Sequence, residues 1–162
     1  MKNLSIKISK LQRQSDVEAC ARFMADSDPW KTLGASYERA QKVLRDSTRE
    51  VYVAHIDGEP AGFVTILMQG AITGYIQSIC IHPQWRNKGI GKQLIEFAEE
   101  RIFRDSPNVF LFVSSFNPAA QRFYKRLGYE TIGEVKDYII AGHSEILMRK
   151  TIAPLMGFRK KG

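Results

Sequence analysis

The 162-residue sequence lacks a cysteine framework, a metal-ligand motif and a long hydrophobic run. Its two cysteines, Cys20 and Cys80, are too few for a disulfide scaffold and form no CxxC pair, and its three histidines are scattered. No apolar segment approaches the roughly 20 residues of a membrane span, and the first residues alternate in polarity, unlike a signal peptide. We therefore predict a cytoplasmic protein with no metal site and no membrane association.

The composition is typical of a globular domain with a basic balance. With 44% hydrophobic and 25% charged residues, the chain falls outside the disordered and collagen-like classes. Lys and Arg outnumber Asp and Glu by 24 to 17, a formal net charge of +7. Nucleic acid, a phosphorylated cofactor and an acidic substrate would all suit this charge, whereas a cationic polyamine would be repelled. No nucleic-acid-binding module is recognisable, which argues against nucleic acid as a partner.

Hydrophobic periodicity predicts alternating strands and helices. A first strand is expected around Ile6, and a Ser15–Glu18 capping box and a start at Ser36 predict two helices. The later segments predict, in order, a strand from 51, a turn at 57–60, strands over 62–68 and 75–81, a helix after 91, a strand over 110–113, a helix from 117–118 to a cap at 128, and strands over 130–139 and 144–149.

This order, βααβββαβαββ, predicts a mixed-sheet α/β or α+β domain with helices on both faces. Residues 1–150 are expected to form a single domain, because no linker or repeat interrupts them. Residues 151–162 are expected to form a C-terminal tail.

The segment from Ile79 to Gly91 predicts an anion site. A strand leads through a turn at His82-Pro83 into the loop 86–91, and a helix begins directly behind that loop. Successive N–H groups at such a helix start bind anions, and Arg86 and Lys88 add positive charge there.

The glycines of this loop also fit a plain strand-to-helix connection, in which Gly89 and Gly91 only permit positive φ. Two other phosphate motifs do not fit. A Walker loop requires Ser or Thr where this chain has Gln93, and a dinucleotide fingerprint requires a third glycine where it has Leu94.

A second motif lies at the predicted helix that begins with Asn117-Pro118. Asn117 and Tyr124 are seven residues apart, about two helical turns, so both side chains point to the same side of the helix. Taken alone, Asn117 is explained as a helix cap and Tyr124 as a core aromatic residue.

Taken together, the two motifs are more specific. Arg86-x-x-Gly89-x-Gly91, preceded by Ile79-Cys80-Ile81-His82-Pro83 and followed by Asn117-Pro118 and Phe123-Tyr124-x-x-x-Gly128-Tyr129, resembles the GNAT superfamily of acetyl-CoA-dependent N-acetyltransferases. The likeness extends from about Val51 to Arg149 and is weaker before it. It implies a GNAT-like, mostly antiparallel mixed sheet whose two central parallel strands splay apart.

The resemblance also implies which residues bind acetyl-CoA. Backbone amides of the loop would hold the pyrophosphate; its residues are Arg86, Asn87, Lys88, Gly89, Ile90 and Gly91. Backbone groups of Ile79 and Ile81 would bind the pantetheine arm, with the Ile79 amide polarising the acetyl carbonyl. Asn117 would contact pantetheine between the splayed strands, and Tyr124 would lie beside the sulfur and donate a proton to the leaving thiolate.

The amine acceptor is expected opposite the cofactor. By the resemblance, the first helix pair and the late strands form its pocket, which makes Asp28, Trp30 and Tyr138 candidate substrate-binding residues. Tyr75 and Gln77, on the strand before the loop, are further candidates for substrate binding.

The general base is not evident. Some family members supply a glutamate from the strand before the loop, but residues 70–81 contain no carboxylate, and Tyr75 and Gln77 stand near its place. A water relay, Asp28 or Glu145 would have to remove the amine proton. We interpret Cys80 as a small buried thiol because direct transfer needs no covalent intermediate.

The predicted function is transfer of acetyl from acetyl-CoA to a primary amine of a small molecule or peptide in a ternary complex. The alternative is a non-catalytic acyl-CoA-binding or sensing module, which the missing strand carboxylate favours. The acceptor's identity stays open at this point, as does a homodimer formed through late strands or the tail.

Overall fold

The computed structural model describes residues 4–160, so residues 1–3 and the tail residues 161–162 lie outside it. The elements in chain order are β1 (Ile6–Lys10), α1 (Gln14–Ala25), α2 (Tyr37–Arg45), β2 (Glu50–Ile56), β3 (Glu59–Leu67), β4 (Tyr75–Ile81), α3 (Ile90–Phe103), β5 (Asn108–Ser114), α4 (Pro118–Arg126), β6 (Glu130–Lys136) and β7 (Ser144–Thr151). The predicted element order is confirmed. No helix within the described range is long and apolar enough to cross a membrane.

The strands form one seven-stranded sheet in the order β1-β2-β3-β4-β5-β7-β6. Neighbouring strands are antiparallel except β4 and β5, which are parallel. The predicted mixed, mostly antiparallel sheet is therefore confirmed. Two parallel strands need a long crossover connection, and α3 supplies it between β4 and β5.

The helices cover both faces of the sheet. On one face, α3 buries Leu94, Ile95, Ala98 and Ile102 in a cluster that also contains Tyr124 of α4. On the other face, α1 and α2 pack Cys20, Met24 and Leu44 against sheet residues that include Phe63 and Cys80. Burial of each large apolar side chain contributes about 1.5–3 kcal/mol, so the two clusters fix the helices to the sheet.

Local capping signals mark the starts of α2 and α4 and the end of α4. The Ser36 side chain accepts a hydrogen bond from the Arg39 N–H at 3.1 Å, and that of Asn117 accepts one from the Ala120 N–H at 3.2 Å. Gly128 follows α4 with a φ of 93°, a conformation that favours glycine.

The Ser15–Glu18 capping box is wrong. Helix α1 begins at Gln14, so Ser15 lies inside its first turn, and the N-cap residue is Arg13, without a side-chain cap. The Arg13 guanidinium instead binds the Asp16 carboxylate with two hydrogen bonds of 3.0 Å. A charge-assisted pair in the first turn replaces the hydroxyl cap that the spacing predicted.

Two strand boundaries also differ from the predictions. Strand β6 ends at Lys136 instead of Ile139 because Asp137 has a φ of 50°, which interrupts an extended backbone. Strand β7 continues to Thr151, one residue past the predicted domain limit, since Thr151 pairs with Asn108 of β5.

The feature that positions the site is the brief pairing of β4 with β5. These strands are paired only at Tyr75 with Phe110 and at Ile76 with Leu111. Beyond that point β4 stays paired with β3 through Ile81, and β5 stays paired with β7 through Ser114. The sheet therefore opens between β4 and β5 toward the carboxyl ends of both strands.

Gly74 allows the two strands to meet where their pairing begins. Its carbonyl accepts a hydrogen bond from the Phe110 N–H at 2.9 Å, and its φ is 83°. A Cβ atom at this position would overlap the carbonyl oxygen of Asn108. Only glycine fits both the conformation and the space.

We expect Gly74→Ala to lower the free energy of unfolding by about 3 kcal/mol, because it adds left-handed strain to a collision with backbone. The matched control is Gly58→Ala, at a φ of 85° with no atom within 4 Å of the added Cβ. It should cost about 1 kcal/mol. Urea unfolding measures both variants, and equal losses would contradict the steric argument.

Candidate functional site

A cleft of about 1140 Å³ opens where β4 and β5 part. The whole of β4 and residues 111–114 of β5 line it, together with parts of the 86–91 loop, α4 and the segment between α1 and α2. The cleft therefore brings together elements that lie far apart in the sequence.

Backbone groups of β4 face the gap. The His82 N–H donates to the Ala61 carbonyl at 2.8 Å, which directs the N–H of His82 toward β3. Because these groups alternate along an antiparallel pair, Cys80 also turns toward β3, and Ile79 and Ile81 turn toward the gap. The Ile79 N–H thus faces the cleft.

The loop before α3 presents a run of free N–H groups. Asn87 and Gly89 have φ values of 59° and 81°, which curve the backbone into a concave nest. Within residues 4–160, the N–H groups of Asn87, Lys88 and Gly89 form no hydrogen bond. Those of the first helical residues, from Ile90 to Lys92, have no intrahelical partner either. The loop and helix start thus present a group of free donors of the kind that binds anions.

Arg86 contributes differently from the prediction. Its N–H already donates to the Pro83 carbonyl at 3.4 Å, so the run of free amides begins at Asn87. The Arg86 guanidinium donates to Ser27 Oγ at 2.8 Å and to the Ile81 carbonyl at 3.2 Å. Arg86 therefore fastens the loop to the end of α1 and to β4. Ser27 was not predicted, because nothing in the local sequence indicates a contact with a residue 59 positions away.

Two other loop residues keep their side chains out of the cleft wall. The Ile90 side chain is 1% exposed and belongs to the core. The Lys88 Nζ lies 4.7 Å from the centroid of the Trp85 ring, a cation–π distance. The loop residues that do line the cleft are Asn87, Gly89 and Gly91, and Lys88 adds positive charge nearby.

Asn117 at the start of α4 and Tyr124 within it both line the cleft, so they lie on the same side of the helix, as their spacing predicted. The side-chain oxygen Oδ1 of Asn117 caps the helix, which leaves the side-chain nitrogen Nδ2 available to a ligand. The Tyr124 ring packs against Phe123 and Tyr129, with centroid distances of 5.2 and 5.6 Å. Burial raises the pKa of Tyr124 above the ordinary value near 10, so its phenol stays protonated at neutral pH.

The five predicted substrate-binding residues also line the cleft; these are Asp28, Trp30, Tyr75, Gln77 and Tyr138. Tyr75 contacts Phe112 edge to face at a centroid distance of 5.9 Å, and Phe112 stacks on Tyr138 at 5.5 Å. Gln77 accepts a hydrogen bond from Arg49 Nε at 2.5 Å. Phe112 was not predicted as a site residue because the apolar β5 pattern indicates core packing equally well.

The two carboxylates suggested as general bases, Asp28 and Glu145, differ in burial and in the direction of their pKa shifts. Asp28 is exposed and accepts hydrogen bonds from the Thr32 hydroxyl and N–H at 2.6 and 3.2 Å, which lower its pKa and make it a poor base. Glu145 is 4% exposed, and burial raises its pKa, although a hydrogen bond from Ser114 Oγ at 2.8 Å opposes the shift. Both carboxylates line the cleft.

A model of the acetyltransferase (GNAT) family matches residues 14–129 of this chain. An uncharacterized N-acetyltransferase of Chlorobaculum tepidum is 28% identical over 120 residues, which cover 74% of this chain and 73% of the relative. An acetyltransferase of Pectobacterium atrosepticum is 30% identical over 130 residues, which cover 76% and 87% of the two chains.

Solved structures share the fold at lower sequence identity. A GNAT-family structure from Desulfovibrio desulfuricans superposes with a TM-score of 0.79 at 19% identity and covers 92% of this chain and 100% of its own. The ribosomal-protein-S18-alanine N-acetyltransferase of Escherichia coli gives 0.73 at 18% identity, covering 93% and 96%. An aminoglycoside 6'-N-acetyltransferase complexed with coenzyme A gives 0.73 at 20% identity, covering 91% and 98%.

Cys80 lines the cleft but has the environment of an unreactive thiol. It is 3% exposed, its Sγ contacts the Phe23 carbonyl oxygen at 3.7 Å, and burial raises the pKa of the thiol to about 12. Cys20 is fully buried, and its thiol pKa is also raised by burial.

We expect neither thiol to react with Ellman's reagent in the native protein at pH 8, because the reactive thiolate is scarce well below its pKa. Both thiols should react within minutes in guanidinium chloride. The absorbance of released thionitrobenzoate measures the stoichiometry. One rapidly reacting thiol in the native protein would contradict the structural interpretation of these cysteines.

Proposed function

The chain belongs to the acetyltransferase (GNAT) family, and from this membership and the cleft we propose that it is an acetyl-CoA-dependent N-acetyltransferase. It transfers the acetyl group directly to a primary amine of a small molecule or peptide within a ternary complex. One observation carries the proposal. The free N–H groups of the 86–91 loop, the gap-facing backbone of β4 and the phenol of Tyr124 belong to one cleft.

The residues present fit coenzyme A. The N–H groups from Asn87 to Lys92 suit a pyrophosphate, and Lys88 supplies a nearby positive charge. The gap between β4 and β5 suits a narrow arm that forms hydrogen bonds along a strand, with Ile79, Ile81 and Asn117 as partners. The coenzyme A complex of the structurally similar aminoglycoside acetyltransferase supports this assignment.

When bound, acetyl-CoA supplies the thioester whose acetyl group is transferred. The Ile79 N–H donates a hydrogen bond to the acetyl carbonyl oxygen as negative charge develops there. One such donor stabilises the transition state by about 3 kcal/mol. Tyr124 donates its proton to the departing sulfur. Burial raises the pKa of the Tyr124 phenol, so the phenol still carries this proton at neutral pH. No covalent enzyme intermediate is needed, in keeping with the inert environment of Cys80.

The acceptor lies on the α1–α2 side of the cleft, where Asp28, Trp30, Tyr75, Gln77 and Tyr138 form the wall. The names of two structural neighbours indicate a protein alanine amine and an aminoglycoside amine as acceptors of those enzymes. Both small molecules and peptides are therefore reasonable acceptor classes for this chain.

We expect saturable release of coenzyme A thiol when the protein and acetyl-CoA are mixed with a suitable amine. The panel contains kanamycin, spermidine, L-lysine, a peptide with a free N-terminal alanine and an N-blocked peptide with one lysine. Mass spectrometry should find one added acetyl group on the accepted amine. Micromolar binding of coenzyme A without acetylation of any amine would favour a non-catalytic acyl-CoA-binding module.

We expect Tyr124→Phe to lower kcat about 100-fold with little change in the Kd for coenzyme A, because it removes the proton donor and keeps the ring. The matched control is Tyr129→Phe, since the Tyr129 hydroxyl donates to Glu99 at 3.0 Å outside the cleft. That control should lower the melting temperature and spare kcat. Equal kcat values for Tyr124→Phe and the wild type would exclude Tyr124 as the acid.

A further inference from the structure

Glu145 is a buried carboxylate in the part of the cleft wall that β5 and β7 form. It belongs to β7, where it pairs with Ser114 of β5, and it is 4% exposed. Its Oε1 accepts the hydrogen bond from Ser114, whereas Oε2 has no hydrogen-bond partner within residues 4–160. Oε2 keeps some surface exposed. Because Glu145 lines the cleft, a ligand in the cleft can reach this oxygen.

Comparison with the other buried carboxylates shows what Glu145 lacks. Three carboxylates are buried within residues 4–160. Asp16 binds Arg13 and His55, and Glu99 binds Lys150 at 2.8 Å and Tyr129. Glu145 forms no ion pair within this part of the chain. A buried carboxylate without a cation is costly, so a cation that arrives with a ligand would complete its environment.

The other groups near Glu145 suit an ammonium ion. Tyr75, Phe112 and Tyr138 form an aromatic row in the same part of the cleft, and ring faces attract cations. The titratable groups that interact electrostatically with Glu145 are Tyr75 from β4 and His143 from the turn before β7. Arg49 is engaged with Gln77 and Asp46, so it does not neutralise Glu145.

We propose that Glu145 binds the acceptor as an alkylammonium ion and then removes a proton from it, which makes a carboxylate of β7 the general base of the proposed acetyl transfer. The inference rests on the proposed function. In the step, one N–H bond of the ammonium breaks and an O–H bond forms on Glu145 Oε2, which leaves a neutral amine with a free electron pair. The proton then passes from Glu145 to solvent at the cleft mouth.

The test compares Glu145→Gln with the wild type, using the panel amine with the highest wild-type kcat/KM. We expect kcat/KM at pH 7 to fall about 100-fold or more, with the Kd for coenzyme A unchanged. The wild-type profile should reach a plateau once Glu145 is ionised. The variant's kcat/KM should keep rising toward the pKa of the amine, near 10 for a lysine side chain, because only the neutral amine reacts.

Stability separates this role from a structural one. Burial raises the pKa of Glu145, so ionisation weakens the native state as pH rises from the ordinary value through the raised one. Glu145→Gln should therefore melt at the same temperature as the wild type at pH 5 and at an equal or higher temperature at pH 8. The matched control Glu99→Gln loses a charged partner of Lys150, so it should melt lower and keep the pH–rate profile.

Three results would overturn the inference. The first is an active wild type and a Glu145→Gln variant whose kcat/KM lies within about 3-fold of the wild-type value and reaches the same plateau. This result would exclude Glu145 as the base and leave the proposed function standing. A variant that melts lower and loses coenzyme A binding would show a structural role. A wild type that binds coenzyme A but acetylates no panel amine would remove the proposed function together with the inference.

Discussion

The site depends on the separation of two neighbouring strands. After two paired residues, β4 and β5 diverge, and each is held in place by its other neighbour, β3 or β7. The backbone groups that face the gap therefore lose the partners that a regular sheet would provide. An unpaired backbone group costs about 1–3 kcal/mol when it is also shielded from water, so these groups bind either solvent or a ligand. The sheet itself thus creates a binding strand on Ile79 and Ile81.

The helices around the gap follow from the same separation. Both α3 and α4 begin just beyond the carboxyl ends of the diverging strands, so their N-terminal N–H groups lie at the same end of the sheet.

Close packing of α3 on β4 requires a small residue on β3. A Cβ atom at Gly62 would lie 2.9 Å from the Cys80 carbonyl oxygen and 3.2 Å from Leu94 Cδ1. Gly62 thereby allows the helix to approach the strand that carries Ile79.

Local patterns predicted most of the fold, because strands, helices and caps depend on residues close together in sequence. The caps at Ser36 and Asn117 are examples. The failures occur where a second interaction competes: the Arg13–Asp16 pair replaced the expected capping box. The contacts of Arg86 with Ser27 and of Glu145 with Ser114 could not be predicted, because they depend on strand register and on how α1 meets the loop.

The distribution of charge in the cleft matters more for ligand choice than the net charge of +7. Interactions between exposed charges are screened within about 8 Å at physiological salt, so most surface lysines and arginines act weakly on a group inside the cleft. The free N–H groups of the 86–91 loop favour an anion, and the carboxylate of Glu145 in the β7 wall favours a cation. The basic balance alone argued against cationic acceptors. The local field at Glu145 argues for them, because burial reduces screening where the carboxylate is closest. A cleft with a loop that favours an anion and a separate wall that favours a cation can hold a polyanionic acetyl donor and a cationic amine in one orientation.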